Sequence, residues 1–127
     1  MFFTKKIRGD IYLDPLIKPL SVDTGHGPEA LATVHSGVYV ISGLSNISFG
    51  LPCRRLINRA FAVMSLAAGM DAFILDPTDA QLMSLLRAAD TLAGRDDFCM
   101  ACITAERAGI WSIERISLPP VDKTWKS

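Results

Sequence analysis

Three short apolar runs, each closed by an Asp or Asn, recur at a nearly constant interval, and that interval limits the fold more than any other feature of the chain. Asp14 follows the run from Asp10 to Leu13, Asn46 comes soon after Val38-Tyr39-Val40-Ile41, and Asp76 follows Asp71 to Leu75. Asn46 lies 32 residues past Asp14, and Asp76 lies 30 past Asn46. Each interval has room for one strand, one crossover helix and their loops. Strands that alternate with helices pair in parallel through right-handed crossovers. The expected class is therefore α/β, with the three polar residues at the same, C-terminal, edge of a parallel sheet. Ligands of α/β proteins bind at that edge.

The helices between the runs carry their own signals. Gly27-Pro28-Glu29 predicts a short helix from Pro28 to about His35, stopped by Gly37, because proline suits a first helical position and glutamate complements the positive helix end. Arg54 to Ala68 predicts a long helix with Leu56, Ile57, Ala60, Phe61, Met64 and Ala67 on one side and Gly69 as its stop. Thr78-Asp79-Ala80-Gln81 reads as a capping box with Thr78 as N-cap, opening a helix through Leu82, Leu85, Leu86, Ala89 and Leu92 to Gly94. A further helix is expected from about Asp96 to Ala108. Beyond Gly109 the pattern fails, and Pro119-Pro120 leads to a polar tail expected to be loosely ordered. The expected core is Leu13, Val40, Ile41, Leu56, Phe61, Met64, Ile74, Leu82, Leu85 and Leu86; Met70, Met83 and Met100 read as core packing too.

Composition removes several function classes. The 127 residues are half apolar, enough for one ordinary core. Thirteen basic residues balance thirteen acidic ones, and no basic stripe suggests a nucleic-acid face. No apolar run approaches the roughly 20 residues of a membrane span. Met1-Phe2-Phe3 precedes Lys5, Lys6 and Arg8, the reverse of a secretory signal, so a cytoplasmic protein is expected. Cys53, Cys99 and Cys102 are an odd number of thiols, expected to be reduced and packed. Cys99 and Cys102 have CxxC spacing but fall inside an expected helix, and no second pair completes a zinc site. No metal is expected on this chain.

The stretch "ISGLSNISFG", Ile41 to Gly50, is where a buried strand opens into Ser42, Ser45, Asn46 and Ser48. By residue type alone Asn46 is either a site residue or a turn cap, Asp14 before Pro15 and Asp76 before Pro77 are either site or turn residues, and Arg54 is either a ligand or a solvated helix start. His26, between two glycines, reads as a loop residue, and His35 as an exposed helix end.

The segments "YLDPLIKPLSVDTGHGPE", "GLSNISFGLPCRRLINRAF" and "DAFILDPTDAQLMSLLRAADTLAGRDDFCM" resemble the methyltetrahydrofolate:corrinoid-protein methyltransferases, within the pterin-binding, dihydropteroate-synthase-like TIM barrels. The resemblance implies a partial (β/α)8 TIM barrel, the last three βα units. It divides the chain into residues 1–9, which resemble nothing in the family, a partial pterin-binding domain over 10–108, and a tail over 109–127. It also implies a methyltransferase of one-carbon metabolism that moves the N5-methyl group of methyltetrahydrofolate to the cobalt of a corrinoid, carried by a partner protein or supplied as cobalamin. By the same resemblance Asn46 contacts N5 and is the catalytic residue. Asp14 binds the polar edge of the pterin, Gly43 and Ser45 line the pocket, Arg54 lies near the substrate, and Asp76 is a strand-end carboxylate of the last unit. An amide suits N5 because it can donate to the nitrogen or accept from N5–H⁺ and stays neutral at any working pH.

A full barrel takes about 250 residues. Three strands leave two unpaired edges and one uncovered face. The expected partners are therefore a second copy of the chain or a complementing barrel half, alongside the corrinoid protein and the pterin. The alternative reading is a non-catalytic remnant or interaction module of the same fold. A dihydropteroate synthase fits less well, because Asn46 stands where that enzyme's related motif has a basic residue downstream of its serine.

Overall fold

The computed structural model describes residues 12–34 and 39–111. The expected segment 1–9, Asp10, His35, Gly37, Val38 and the tail beyond Trp111 lie outside the described residues. The elements run β1 (Tyr12–Leu13), α1 (His26–Val34), β2 (Tyr39–Gly43), α2 (Arg54–Ala68), β3 (Ala72–Ile74), α3 (Ala80–Leu92) and α4 (Met100–Arg107), with 3-10 turns at Ser45–Ser48 and Asp97–Cys99.

The three strands form one parallel sheet in the order β1-β2-β3. Tyr12 pairs with Tyr39 and Leu13 with Val40; Ile41, Ser42 and Gly43 pair with Ala72, Phe73 and Ile74. Asp71 seals the entry to β3: its carboxylate accepts from the Val40 N–H at 2.8 Å, and its own N–H donates to the Val40 carbonyl at 3.1 Å. Side chains alternate across a strand, so Leu13, Val40, Ser42 and Phe73 share one face and Tyr12, Tyr39, Ile41, Ala72 and Ile74 the other. The first face is the core face. Val40 packs with Val34 of α1 and with Met70. Phe73 and Leu75 join Ala30, Leu44, Ile47, Phe61, Ala62 and Leu82, which brings α1, α2 and α3 onto that side of the sheet. Burying each large side chain there contributes about 1.5–3 kcal/mol. The other face stays open: Tyr12 and Ile74 are exposed, and Tyr12 stacks on Tyr39 with ring centroids 5.5 Å apart.

Two of the three helix stops read from glycine, Gly69 and Gly94, hold, and Gly37 lies outside the described residues. Gly69 takes φ +112°, its N–H donates to Leu66 O at 3.0 Å, and the N–H of buried Met70 donates to Ser65 O at 2.9 Å. This is a Schellman turn, which needs a left-handed residue that only glycine supplies without strain. Gly94 closes α3 in the same way.

Several expectations do not hold. α1 begins at His26, two residues before Pro28, and His26 Nδ1 lies 2.9 Å from the Pro19 carbonyl, so this residue starts the helix and is not part of the loop. β2 continues through Ser42 and Gly43, because backbone pairing with β3 outweighs the polar character of a small serine, and Ser42 is buried. The N-cap of α3 is Asp79, whose carboxylate accepts from Leu82 N at 3.0 Å. Thr78 instead donates its hydroxyl and its N–H to Asp76, and Gln81 accepts from Arg59, so no capping box forms.

The face of α2 is also turned. Phe61, Ala62, Ser65 and Leu66 are buried, whereas Leu56 and Met64 are 67% and 54% exposed. Phe61 and Ala62 join the core cluster with Leu44, Ile47 and Leu82, and the stripe Leu56, Ala60, Met64 and Ala67 faces outward. Ile74 and Leu85 also leave the expected core, Ile74 because it lies on the open sheet face.

The last helix is broken. Phe98 and Cys99 both take φ +57°, and α4 restarts at Met100. The Asp96 carboxylate causes the restart: it accepts from Ala101 N at 2.8 Å, Cys102 N at 3.0 Å and the Thr91 hydroxyl at 3.0 Å. The CxxC pair therefore spans the start of a helix and not its interior. Cys53 and Cys99 are exposed and Cys102 is half-buried, so the expected packing role fails for the first two. Met100 is exposed as well, while Met70 is core.

Candidate site at the C-terminal edge of the sheet

Because all three strands run parallel, the segments that follow them leave the same edge of the sheet. Asp14 follows β1, Asn46 stands three residues past β2, and Asp76 stands two past β3. The Leu44 N–H donates to Ile74 O at 3.0 Å and extends the β2–β3 pairing by one step before the chain turns.

The segment after β1 folds over this edge and is pinned to the turn after β2. Ile17 is buried in the core. Leu20 N donates to Ile47 O at 2.9 Å, and the Ser21 hydroxyl donates to Phe49 O at 2.6 Å. Gly50 takes φ +82° at this crossing, and a Cβ there would stand 2.9 Å from Ser21 Oγ. Glycine is required at Gly50 on both grounds. Asp14 is exposed, with no hydrogen-bond partner among the described residues.

The polar groups of "ISGLSNISFG" divide into two sets. Ser42 and Ser48 are buried, and Ser45 and Asn46 are exposed. Leu44 and Ile47 sink into the core on either side of Asn46 and hold the 3-10 turn down. The Asn46 carbonyl accepts from Phe49 N at 3.2 Å, which closes the turn, while its side-chain amide has no partner among the described residues. Asn46 Oδ1 lies 4.0 Å from the place a Cβ of Gly43 would take, and among the described residues no other heavy atom outside the neighbouring residues comes within that distance. Gly43 needs no left-handed backbone and avoids no clash with the described residues. The missing Cβ leaves open space beside a free amide.

Arg54, in the first turn of α2, reaches back into the turn. Its Nη2 donates to Ser45 O at 2.9 Å and its Nε to Ser48 Oγ at 3.2 Å, and its guanidinium carbon lies 5.8 Å from the Phe49 ring centroid. Ser48 Oγ in turn donates to Ser45 O at 3.2 Å.

Asp76 is exposed, and its Oδ1 accepts from the Thr78 hydroxyl and from Thr78 N at 2.9 Å. The Thr78 hydroxyl is the larger cause of a carboxyl held below its usual range; Arg55 adds a smaller favourable charge. Beside it, Arg59 grips Asp79 through Nη2 at 2.9 Å and through Nε at 3.1 and 3.2 Å, and gives Nη1 to Gln81 at 2.7 Å. The pair is nearly buried, and the Arg59 hydrogen bonds hold the Asp79 carboxyl low. Sequence reasoning passed over Arg59, Ser21 and Phe49. Arg59 stands four residues after Arg55 with no acidic residue in the same helix, a pattern that calls for a partner elsewhere.

Among the described residues no group of three or more His, Cys, Asp or Glu side chains could hold a metal ion, and no helix is long and apolar enough to cross a membrane. A groove of about 660 Å³ between α3 and α4, lined by Leu85, Ala88, Cys102, Ile103 and Trp111 among others, shares none of the strand-end residues. The edge itself offers a neutral amide, an open glycine position and two exposed carboxylates, Asp14 and Asp76. These groups suit hydrogen bonding to the polar rim of a flat ring.

No protein-family model matches the chain. Over 106 residues it is 37% identical to the methylcorrinoid:tetrahydrofolate methyltransferase of Eubacterium limosum, a match that takes in 78% of this chain and 39% of that protein. The resemblance read from the residues is thus met by a curated relative, and the chain spans well under half of that relative's length.

Proposed function

We propose that the chain is a C-terminal portion of a methyltransferase that exchanges the N5-methyl group between a tetrahydrofolate-type pterin and the cobalt of a corrinoid, with the corrinoid brought by a partner protein. The observation that carries this reading is the unpartnered Asn46 amide on a turn pinned to the core, in a chain 37% identical to a methyltransferase named for those two substrates. The relative's name describes transfer from the methylcorrinoid to tetrahydrofolate. The same groups serve both directions, since forward and reverse transfer share one transition state.

The part played by this chain is to bind and to place hydrogen bonds. In the demethylating direction, N5 leaves as a neutral amine only if it carries a proton, taken from solvent before the methyl departs; a hydrogen bond to N5 can only assist. Asn46 Nδ2–H donates to N5, or Oδ1 accepts from N5–H⁺, and the amide does not titrate. A dipole fixed before reaction stabilises the change in charge at N5 without reorganising. Asp14 accepts from the polar edge of the pterin, the open position at Gly43 lets the ring lie against the strand, and Ser45 lines the same wall. Asp76 is the strand-end carboxylate of the last unit, with Oδ1 already committed to Thr78. The nucleophile in that direction is the corrinoid substrate's cobalt, so the chain need supply none.

The sheet is read as the last three βα units of a (β/α)8 barrel, over residues 10–108, with the open face of Tyr12, Tyr39, Ile41 and Ile74 turned inward. Residues 1–9 and 109–127 lie outside that unit. An active assembly then needs the remaining strands of the barrel, in the cytoplasm where folates and reduced corrinoids meet. The uncovered face favours one further reading, a non-catalytic module that keeps only the fold fragment.

Single-turnover methyl transfer with cobalamin, with pterin affinity measured separately, tests the proposal. Asn46→Ala should slow transfer by about 10²–10³-fold, the scale of one lost preorganised hydrogen bond. Asp14→Asn should weaken pterin binding more than it slows the bound complex. An active assembly indifferent to Asn46→Ala in both rate and affinity would make Asn46 a turn residue. No transfer in any assembly would favour the non-catalytic module.

A further inference from the structure

We infer that Arg54 is a positioning residue: it fixes the Ser45–Ser48 turn so that the Asn46 amide is presented in one orientation, and it does not bind the substrate directly. The inference rests on the role proposed for Asn46. Three hydrogen bonds close a triangle under the turn. Arg54 Nη2 holds Ser45 O at 2.9 Å, Arg54 Nε holds Ser48 Oγ at 3.2 Å, and Ser48 Oγ holds Ser45 O at 3.2 Å. These contacts bracket Asn46 on both sides, at the residue before it and two residues after it.

The geometry fits a strut better than a ligand. A guanidinium carries its N–H groups in a rigid planar fork, and two of its nitrogens are already committed to the turn. Phe49 lies within 5.8 Å of the guanidinium carbon and limits its approach to anything else on that side. Arginine in a first helical turn opposes the helix dipole. The first turn of α2 therefore carries this residue at a local cost that the Ser45 and Ser48 contacts offset. Ser48 is fully buried, so its hydroxyl keeps its two partners without competition from water.

The full 127-residue chain carrying Arg54→Ala, Arg54→Lys, Asn46→Ala and the double variant Asn46→Ala/Arg54→Ala tests this. One measurement is amide hydrogen exchange at Phe49 and Leu51, whose N–H groups close the turn on Asn46 O and Ser48 O, with Met83 in α3 as the internal reference. Arg54→Ala should speed exchange at Phe49 and Leu51 about tenfold or more while Met83 is unchanged. Arg54→Lys should rescue only part of this, because an ammonium lacks the fork. The other measurement is titration with methyltetrahydrofolate. Arg54→Ala should weaken binding about tenfold alone and less than twofold once Asn46 is already Ala, the non-additivity of residues acting through one group. Unchanged exchange at Phe49 and Leu51, or fully additive losses of affinity, would overturn the positioning role. A parent that binds no methyltetrahydrofolate in any assembly, with the remaining strands supplied, would count against the proposed function, and the exchange result on the chain alone would still decide whether Arg54 holds the turn.

Discussion

Asn46 and Gly43 sit at the same strand end for different physical reasons, and single substitutions separate them. Asn46 is left over by the fold: its neighbours Leu44 and Ile47 are buried, its carbonyl closes the turn, and its side chain is unspent. Gly43 is a glycine that the fold does not require, since its nearest heavy atom beyond its neighbours is 4.0 Å from a built Cβ. A glycine inside a strand costs about 0.5–1 kcal/mol relative to alanine. Gly43→Ala should therefore keep or raise the chemical-denaturation midpoint while it weakens methyltetrahydrofolate binding in a titration. A large loss of stability would show that the glycine serves the sheet. Ser65 makes the opposite case. It is fully buried on α2, and its hydroxyl has no partner among the described residues. Removing an unsatisfied buried hydroxyl is neutral or favourable, so Ser65→Ala should stabilise by up to about 1 kcal/mol in urea unfolding.

At the scale of elements, α2 is tied at both ends. The Arg59–Asp79–Gln81 contacts hold its first half to the start of α3, and Arg95 donates to Met70 O at 3.2 Å and Leu66 O at 3.4 Å where α2 stops. The Arg59–Asp79 pair is largely shielded from water, so removing one partner leaves a charge stranded. Arg59→Met should cost about 3 kcal/mol, read from denaturant midpoints, and Asp79→Asn nearly as much because Arg59 loses the carboxylate it grips, while asparagine still caps α3. The same carboxylate predicts a pH dependence. The Asp79 carboxyl is held below the usual carboxylate range, first by the Arg59 hydrogen bonds, and Asp76 and Asp96 are held low by their own donors. Near pH 4 the unfolded chain binds protons that the native chain does not, so stability rises with pH there. It should be level above about pH 5 and fall as pH drops below 4 through the lowered native values. Acid titration of the unfolding midpoint checks this, and Asp79→Asn should flatten the slope.

At the scale of the whole molecule, the helices cover one face of the sheet and nothing among the described residues covers the other. Tyr12 and Ile74 are 57% and 63% exposed there, and a parallel sheet of this kind is ordinarily buried on both faces. Among the described residues, both edge strands also present unpaired backbone groups. Association should follow, with a second copy or with a complementing half. Light scattering across a hundredfold range of concentration checks it. A monodisperse monomer that unfolds cooperatively throughout would show that the open face is tolerated. Ile74→Glu, which places a charge on that face, should weaken association without touching the helices packed opposite.

Some of this was legible in the residues alone. The three runs, their even interval and the glycine stops of α2 and α3 determined a parallel βα architecture, because period, length and left-handed caps are local properties. The order of Asp14, Asn46 and Asp76 at one sheet edge followed from the topology. The choice between two apolar stripes on α2 did not, since Leu56 and Met64 are as apolar as Phe61 and Leu66; only the packing of Phe61 and Ala62 into the cluster with Leu44, Ile47 and Leu82 decided which side was buried. The capping box failed because Arg59, 20 residues earlier, takes Gln81 and grips Asp79. The polar letters of "ISGLSNISFG" looked alike, yet Ser42 and Ser48 went inside and Ser45 and Asn46 outside. The residue type set which groups could hydrogen-bond, and the tertiary contacts set which bonds were already made. What was left unbonded at the sheet edge, the Asn46 amide beside Gly43, depended on those long-range contacts.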